Sequence, residues 1–135
     1  MDRLSPDARS VQMSLVRSKD TKPELLVRKL VFSMGFRYRL HGSGLPGKPD
    51  LVFPGKRKVI FVHGCFWHRH ESCRKATTPA SNTDYWLPKF ARTVERDRDS
   101  IQALQALGWA TLVIWECELK YVSALAEKLK GFLND

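Results

Sequence analysis

The run Val59-Ile60-Phe61-Val62, with the octad directly after it, constrains this chain more than any other stretch. Four apolar residues bounded by glycine read as a buried strand. The octad is His63-Gly64-Cys65-Phe66-Trp67-His68-Arg69-His70, with three histidines, one cysteine and two large aromatics in eight residues. Metal-competent, proton-transferring and base-stacking side chains therefore hang from the end of a rigid element. Chemistry needs such support, since a catalytic group misplaced by about an ångström loses much of its effect. The plainer alternative is a histidine-rich surface loop with some buried aromatics. Against it, large apolar rings and several imidazoles rarely share a solvated loop.

Charge narrows the partner. The chain has 135 residues, enough for one domain with a single modest core, and its formal net charge is +9. A small domain with that excess usually meets a polyanion, nucleic acid ahead of an anionic membrane surface. No stretch approaches the ~20 apolar residues of a membrane span. The start, Met1-Asp2-Arg3-Leu4-Ser5-Pro6, has no apolar signal segment. A cytoplasmic protein is expected, in a compartment that disfavours disulfides. Three reduced cysteines are then idle, reactive or metal-bound.

Periodicity and punctuation set the frame. A helix is expected over residues 6–16, with Ser5 as cap and Pro6 at its first position. Its basic residues and irregular apolar stripe suit a DNA-contacting arm over residues 1–20. Thr21-Lys22-Pro23-Glu24 has the form of a capping box and opens a second helix carrying Leu25, Leu26, Leu30, Val31 and Met34. Strands are expected at residues 36–40, 51–53, 58–62 and 111–115. A helical region over residues 83–107 lies between the last two, broken near its start by Pro88. A final amphipathic helix covers residues 123–133. This order predicts an α/β fold with a central mixed sheet flanked by helices.

Two acidic residues stand out on that frame. Asp50, in Pro49-Asp50, sits at the mouth of a buried strand. Pro-Asp followed by Asp/Glu-x-Lys on the next strand is the layout of restriction-endonuclease-like nucleases, whose Asp binds Mg²⁺. Here the second position reads Phe61-Val62-His63, without the acid or the lysine. Pro-Asp alone is also a common turn, and a hairpin does not by itself bring Asp50 beside His63. Asp97 shares one helical face with Val94, Ile101 and Leu104. A carboxylate on an apolar stripe must be paired if buried, and Arg96 or Arg98 offers a salt bridge.

Five motifs then occur in order: Leu45-Pro46-Gly47-Lys48-Pro49-Asp50, Val59 to His68, Tyr85-Trp86-Leu87-Pro88-Lys89, Val94-Glu95-Arg96-Asp97-Arg98, and Gly108-Trp109 with Val113-Ile114-Trp115-Glu116-Cys117. In this the chain resembles the very-short-patch-repair mismatch endonucleases, over nearly its whole length. The resemblance implies a single restriction-endonuclease-like domain with a structural zinc site. It implies a monomer that nicks duplex DNA 5′ of the mispaired thymine in a T·G mismatch. Such mismatches arise when 5-methylcytosine deaminates, and other repair proteins are then further partners.

The resemblance assigns roles residue by residue. Asp50 looks like the Mg²⁺ carboxylate, with the backbone carbonyl of Val62 as a further ligand. His63 and His68 look like the imidazoles beside the scissile phosphate, His68 being the base for the attacking water. Asp97 looks like the support of that histidine, and Glu24 like an acidic support on the early helix as well as a cap. Cys65, His70, Cys73 and Cys117 give a Cys₃His set suited to structural Zn²⁺; Glu71 and Ser72 separate His70 from Cys73, and His68 or Glu71 are alternative fourth ligands. Phe66, Trp67 and Trp86 match rings that wedge between base pairs, while Trp109 and Trp115 read as core. Lys89, Arg92, Arg96 and Arg98 are phosphate-contact candidates, or a plain solvated helix face. Two other classes stay open: a zinc-stabilised, non-catalytic module for distorted duplex, and a site-specific nuclease of the same fold.

Overall fold

The computed structural model describes residues 21–134 apart from residues 43, 72 and 75. The helix expected over residues 6–16, and the arm over residues 1–20, lie outside the described residues.

Helix α1 (Lys22–Ser33) opens on the capping box that its sequence spells. The Glu24 amide donates to Thr21 Oγ1 (3.4 Å), and the Thr21 amide donates to Glu24 Oε2 (3.1 Å). A cap of this kind stabilises a helix by roughly 1 kcal/mol. Gly35, at φ +92°, follows its end in a conformation that glycine adopts most readily. The buried face is Glu24, Val27, Arg28 and Val31. Leu25 and Leu26, expected on the apolar stripe, are instead 42% and 53% exposed. The helix is rotated so that an acid and a guanidinium, not those leucines, face the interior.

Four strands follow, in the order β1 (Arg39–Leu40), β2 (Leu51–Phe53), β3 (Lys58–His63) and β4 (Ala110–Trp115). β1–β2 and β2–β3 are antiparallel, and β3–β4 is parallel. The strand expected over residues 36–40 shrinks to two residues. β2 ends at Phe53, where Pro54 starts a 3₁₀ turn (Pro54–Lys56), so no strand backbone remains opposite residues 36 and 37. The parallel pair needs a long crossover. Helix α2 (Thr83–Ala106) supplies it, and helix α3 (Val122–Leu133) closes the chain.

Alternation along β3 divides the core. Ile60 and Val62 pack with Leu51, Ile114 and residues of α1 and α3, among them Val31 and Leu129. Val59 and Phe61 pack on the other face with Val52 and Leu104 of α2. Burying each such side chain contributes about 1.5–3 kcal/mol. His63 continues the odd series and so emerges on the α2 face, at the end of the strand.

Pro88 does not break α2, which runs through it. The proline forfeits one amide near the helix start. Trp86 and Phe90, on either side, pack against Phe66 and hold that first turn in place. The loop before β2 is seated by Gly47. Its φ is +74°, and a Cβ there would lie 2.7 Å from the Cβ of Ser100 on α2. Only glycine permits that approach, which delivers Pro49-Asp50 to the start of β2. Among the described residues no helix is long and apolar enough to cross a membrane.

Candidate active site and metal centre

β3 ends between two groups of polar side chains. On one side, Asp50 Oδ2 accepts the Val62 amide at 2.6 Å. The Asp50 carboxyl is also hydrogen-bonded to that of Glu24. Arg28 Nη2 stands 3.5 Å from Glu24 Oε2, one turn further along α1. Burial pushes the Asp50 carboxyl up to about 8, and the Glu24 hydrogen bond adds to this while the Val62 amide opposes it. A buried carboxyl and a half-buried one so close share a proton, or need a cation between them if both are to ionise. Glu24 thus caps α1 and faces Asp50 at once.

On the other side, the rings of His63 and His68 stack with centroids 3.8 Å apart and planes 5° from parallel. His68 Nδ1 lies 2.6 Å from Asp97 Oδ2. A carboxylate only accepts, so Nδ1 carries the proton and the basic lone pair falls on Nε2. Burial holds His63 down at about 4, with the neighbouring His68 pushing the same way, so His63 is neutral at physiological pH. His63, His68 and Asp97 offer ligand or proton-transfer atoms within 4.8 Å of one another. Asp97 takes this partner rather than Arg96 or Arg98, because its helical face points at the sheet. Asp50 is not part of this cluster; the β3 backbone at Val62 and His63 is what joins the two groups.

Cys65, His70, Cys73 and Cys117 also come together, with their ligand atoms within 4.8 Å of one another. His70 Nδ1 is 3.6 Å from Cys65 Sγ and 3.4 Å from Cys117 Sγ. Cys65 is fully buried, and burial pushes its thiol up to about 12. Cys117 lies in a 3₁₀ turn (Glu116–Lys120) directly after β4. Three sulfurs and one imidazole nitrogen are the donor set that tetrahedral zinc takes, so the residues fit that ion. Glu71, the alternative ligand, is exposed and outside the group, and His68 is engaged by Asp97.

The aromatic residues form one cluster. Phe66 packs edge-on against Trp67 (5.2 Å), Trp86 (5.8 Å) and Phe90 (5.2 Å), and Trp67 lies 5.6 Å from Trp86. Trp67 is the most open of the three wedge candidates, at 37% exposure. Phe90 is the buried base of the cluster, and the spacing of Trp86 and Phe90 on one helix face signals it. Lys89, Arg92 and Arg96 share another face of α2 and reach its surface, with the Lys89 ammonium 4.7 Å from the Tyr85 ring centroid.

Sequence reasoning missed Trp115, which is not simply core. Its indole lies flat on His70 (4.2 Å, 9°) and meets His63 edge-on (5.3 Å). It lines the open cleft that holds His63, His68 and Asp97. No local pattern marks it, because its place follows from the β3–β4 register.

A mixed α/β sheet with helices on both faces, carrying carboxylates and imidazoles at the end of one strand, is the layout of an α/β enzyme. Comparison with known proteins narrows the class to a family. Residues 1–75 match the profile described as DNA mismatch endonuclease Vsr. The chain is 50% identical over 133 residues to the type II nicking enzyme V.XorIIP of Xanthomonas oryzae pv. oryzae, covering 98% of this chain and 97% of that one. It is 43% identical over 134 residues to the type II nicking enzyme V.NmeAIP of Neisseria meningitidis (99% and 95%). It is 44% identical over 130 residues to the DNA mismatch endonuclease Vsr of Escherichia coli (93% and 83%). The chain belongs to the DNA mismatch endonuclease Vsr family and is an endonuclease.

Proposed function

We propose that this endonuclease is a Mg²⁺-dependent enzyme of restriction-endonuclease-like fold that nicks one strand of duplex DNA. The nick falls 5′ of the mispaired thymine in a T·G mismatch and starts very short patch repair of deaminated 5-methylcytosine. The observation that carries the chemistry is the 2.6 Å contact between His68 Nδ1 and Asp97 Oδ2, with the His68 ring stacked on neutral His63. Asp97 fixes the tautomer and orientation of His68, leaving Nε2 to take the proton of a water that attacks phosphorus. His63, held neutral by burial, packs against His68 and restricts its ring.

Buried Glu24 and half-buried Asp50 form a pair of hard oxygen donors, the kind of set that Mg²⁺ takes. In an extended strand a residue's N–H and C=O point to the same side. The Val62 amide meets Asp50, so its carbonyl lies on that side also. Asp50 and the Val62 carbonyl would hold the ion, with Glu24 supporting Asp50. Bound there, Mg²⁺ supplies charge stabilisation to the phosphoryl oxygens.

The Cys₃His group supports a structural Zn²⁺ that ties the motif loop to the end of β4. The basic face of α2 supports DNA as the partner through Lys89, Arg92 and Arg96. The clustering of Phe66, Trp67 and Trp86, with Trp67 exposed, supports a wedge that opens a base stack, which costs least where pairing is already poor. The name of the Escherichia coli relative supports mismatched DNA as substrate, and with it a cytoplasmic enzyme. One site on a monomer nicks one strand.

The test is nicking of T·G, U·G and paired C·G duplexes in varied flanking contexts, with and without Mg²⁺, read on a denaturing gel. The reading predicts Mg²⁺-dependent cleavage of only the T strand of the T·G duplex. Equal cutting of paired DNA, or none of T·G, rejects it.

A further inference from the structure

Between Gly64 and Asn82 the chain has no regular helix or strand among its described residues, yet it carries two of the three wedge rings, Phe66 and Trp67, and three of the four Cys₃His side chains. A stretch of that length needs something other than backbone ladders to order it. Arg69 lies in its first third with φ +54°, a left-handed conformation uncommon for a non-glycine residue. Its Nη1 donates to the carbonyls of Phe66 (3.2 Å) and Thr77 (2.9 Å). Its Nη2 donates to the Ala76 carbonyl (3.0 Å) and to Thr78 Oγ1 (3.0 Å). All four terminal N–H donors of the guanidinium thus have acceptors. Its plane sits over Phe90, with the central carbon 4.0 Å from the ring centroid, and 5.7 Å from that of Phe66.

We infer that Arg69 is a specificity-determining positioning residue, which pins the Phe66-Trp67 turn and so sets the preference for mismatched duplex. The inference rests on the wedge reading given above. Three components meet at this one side chain: the turn that bears Phe66 and Trp67, the returning segment 76–78, and the Phe90 floor on α2. A pinned wedge has no way to fold back, so every duplex that docks must open its stack. The opening cost then separates T·G from C·G in full. A loosened wedge permits docking without insertion, and paired DNA escapes the penalty. Lysine cannot replace this arginine, because a point charge with three donors lacks the planar fork that reaches four acceptors and stacks on a ring.

The geometry also separates Arg69 from the phosphate contacts. Its terminal donors are spent on the protein, so it has none to offer DNA without unravelling the loop.

The test compares wild type, Arg69→Lys and Phe90→Leu as full-length, zinc-loaded proteins. Binding to T·G and C·G duplexes is measured across a salt series, with zinc content and melting temperature taken on the same samples. Phe90→Leu removes the floor but keeps every hydrogen bond, so it reports even if Arg69→Lys folds poorly. Arg69→Lys should cut the T·G to C·G preference about tenfold, within the range of one lost base–aromatic contact. Affinity for C·G should hold or rise, zinc content should stay the same, and Phe90→Leu should fall between. Three outcomes overturn the inference. One is an unchanged preference with a lowered melt. The second is equal weakening of both duplexes with a flatter salt dependence, the mark of a phosphate contact. The third is loss of zinc in both variants. If wild type itself shows no T·G preference, the wedge reading fails first, and the wild-type arm shows that separately.

Discussion

His63 and Trp115 are partners in the parallel β3–β4 ladder, and that one register builds the Cys₃His group. Cys65 lies two residues beyond the first and Cys117 two residues beyond the second. The chain therefore brings them together although they are far apart in sequence. His70 then lies flat on Trp115 and meets both sulfurs.

The first prediction concerns this group. The purified protein should hold one zinc per chain, measured by elemental analysis. Cys117→Ala should lower the melting temperature by roughly 10 °C or more, because structural zinc contributes folding free energy directly and each 1 kcal/mol moves a domain of this size by a few degrees. A metal-free protein, or an unchanged melt, would falsify the assignment.

Asp50→Ala should abolish nicking while mismatched duplex still binds, since the change removes an oxygen donor and no DNA contact. Single-turnover assays at saturating Mg²⁺, beside a binding isotherm, check both halves. Near-wild-type nicking would dismiss Asp50 as the metal carboxylate.

His68→Ala should slow nicking by about 10²–10⁴-fold, the usual share of general acid–base catalysis. Asp97→Asn should also slow it, because the amide no longer favours a protonated Nδ1. The double variant should be little worse than His68→Ala alone, since the two residues act as a unit. Simple multiplication of the two losses would show that they act independently.

Trp115→Leu should lower the nicking rate at saturating DNA with mismatch affinity retained, because it removes the ring between His63 and His70. Trp115→Phe should recover most of the rate. A lowered melt with a normal rate per folded molecule would reduce Trp115 to a packing residue.

Trp67→Ala should cost about 1–3 kcal/mol of binding, mainly on T·G duplex, so that the preference over C·G collapses. Lys89→Ala or Arg92→Ala should weaken both duplexes alike and flatten the salt dependence. If Trp67→Ala lowers the melt and leaves the preference intact, the ring is core and not wedge.

Features that depend on near neighbours are legible in the amino-acid order. Thr21 and Glu24 spell the α1 cap, the apolar run up to Val62 makes a strand, and Val94, Asp97, Ile101 and Leu104 share a helix face. The donor types for a metal, and the rings and imidazoles at one strand end, can be read for the same reason. They lie within a few residues, where backbone geometry is short-range. Features that depend on register and helix rotation come from packing alone. Asp50 reaches the Val62 amide across 12 residues, His68 reaches Asp97 across 29, and His70 reaches Cys117 across 47. Each of those contacts exists because β2, β3, α2 and β4 pack in one particular alignment. A shift of one residue would turn His63 to the opposite face of the sheet. The same holds for Glu24, which turns inward while Leu25 and Leu26 face solvent. It holds too for Pro88, which packing carries through a helix that its own chemistry opposes.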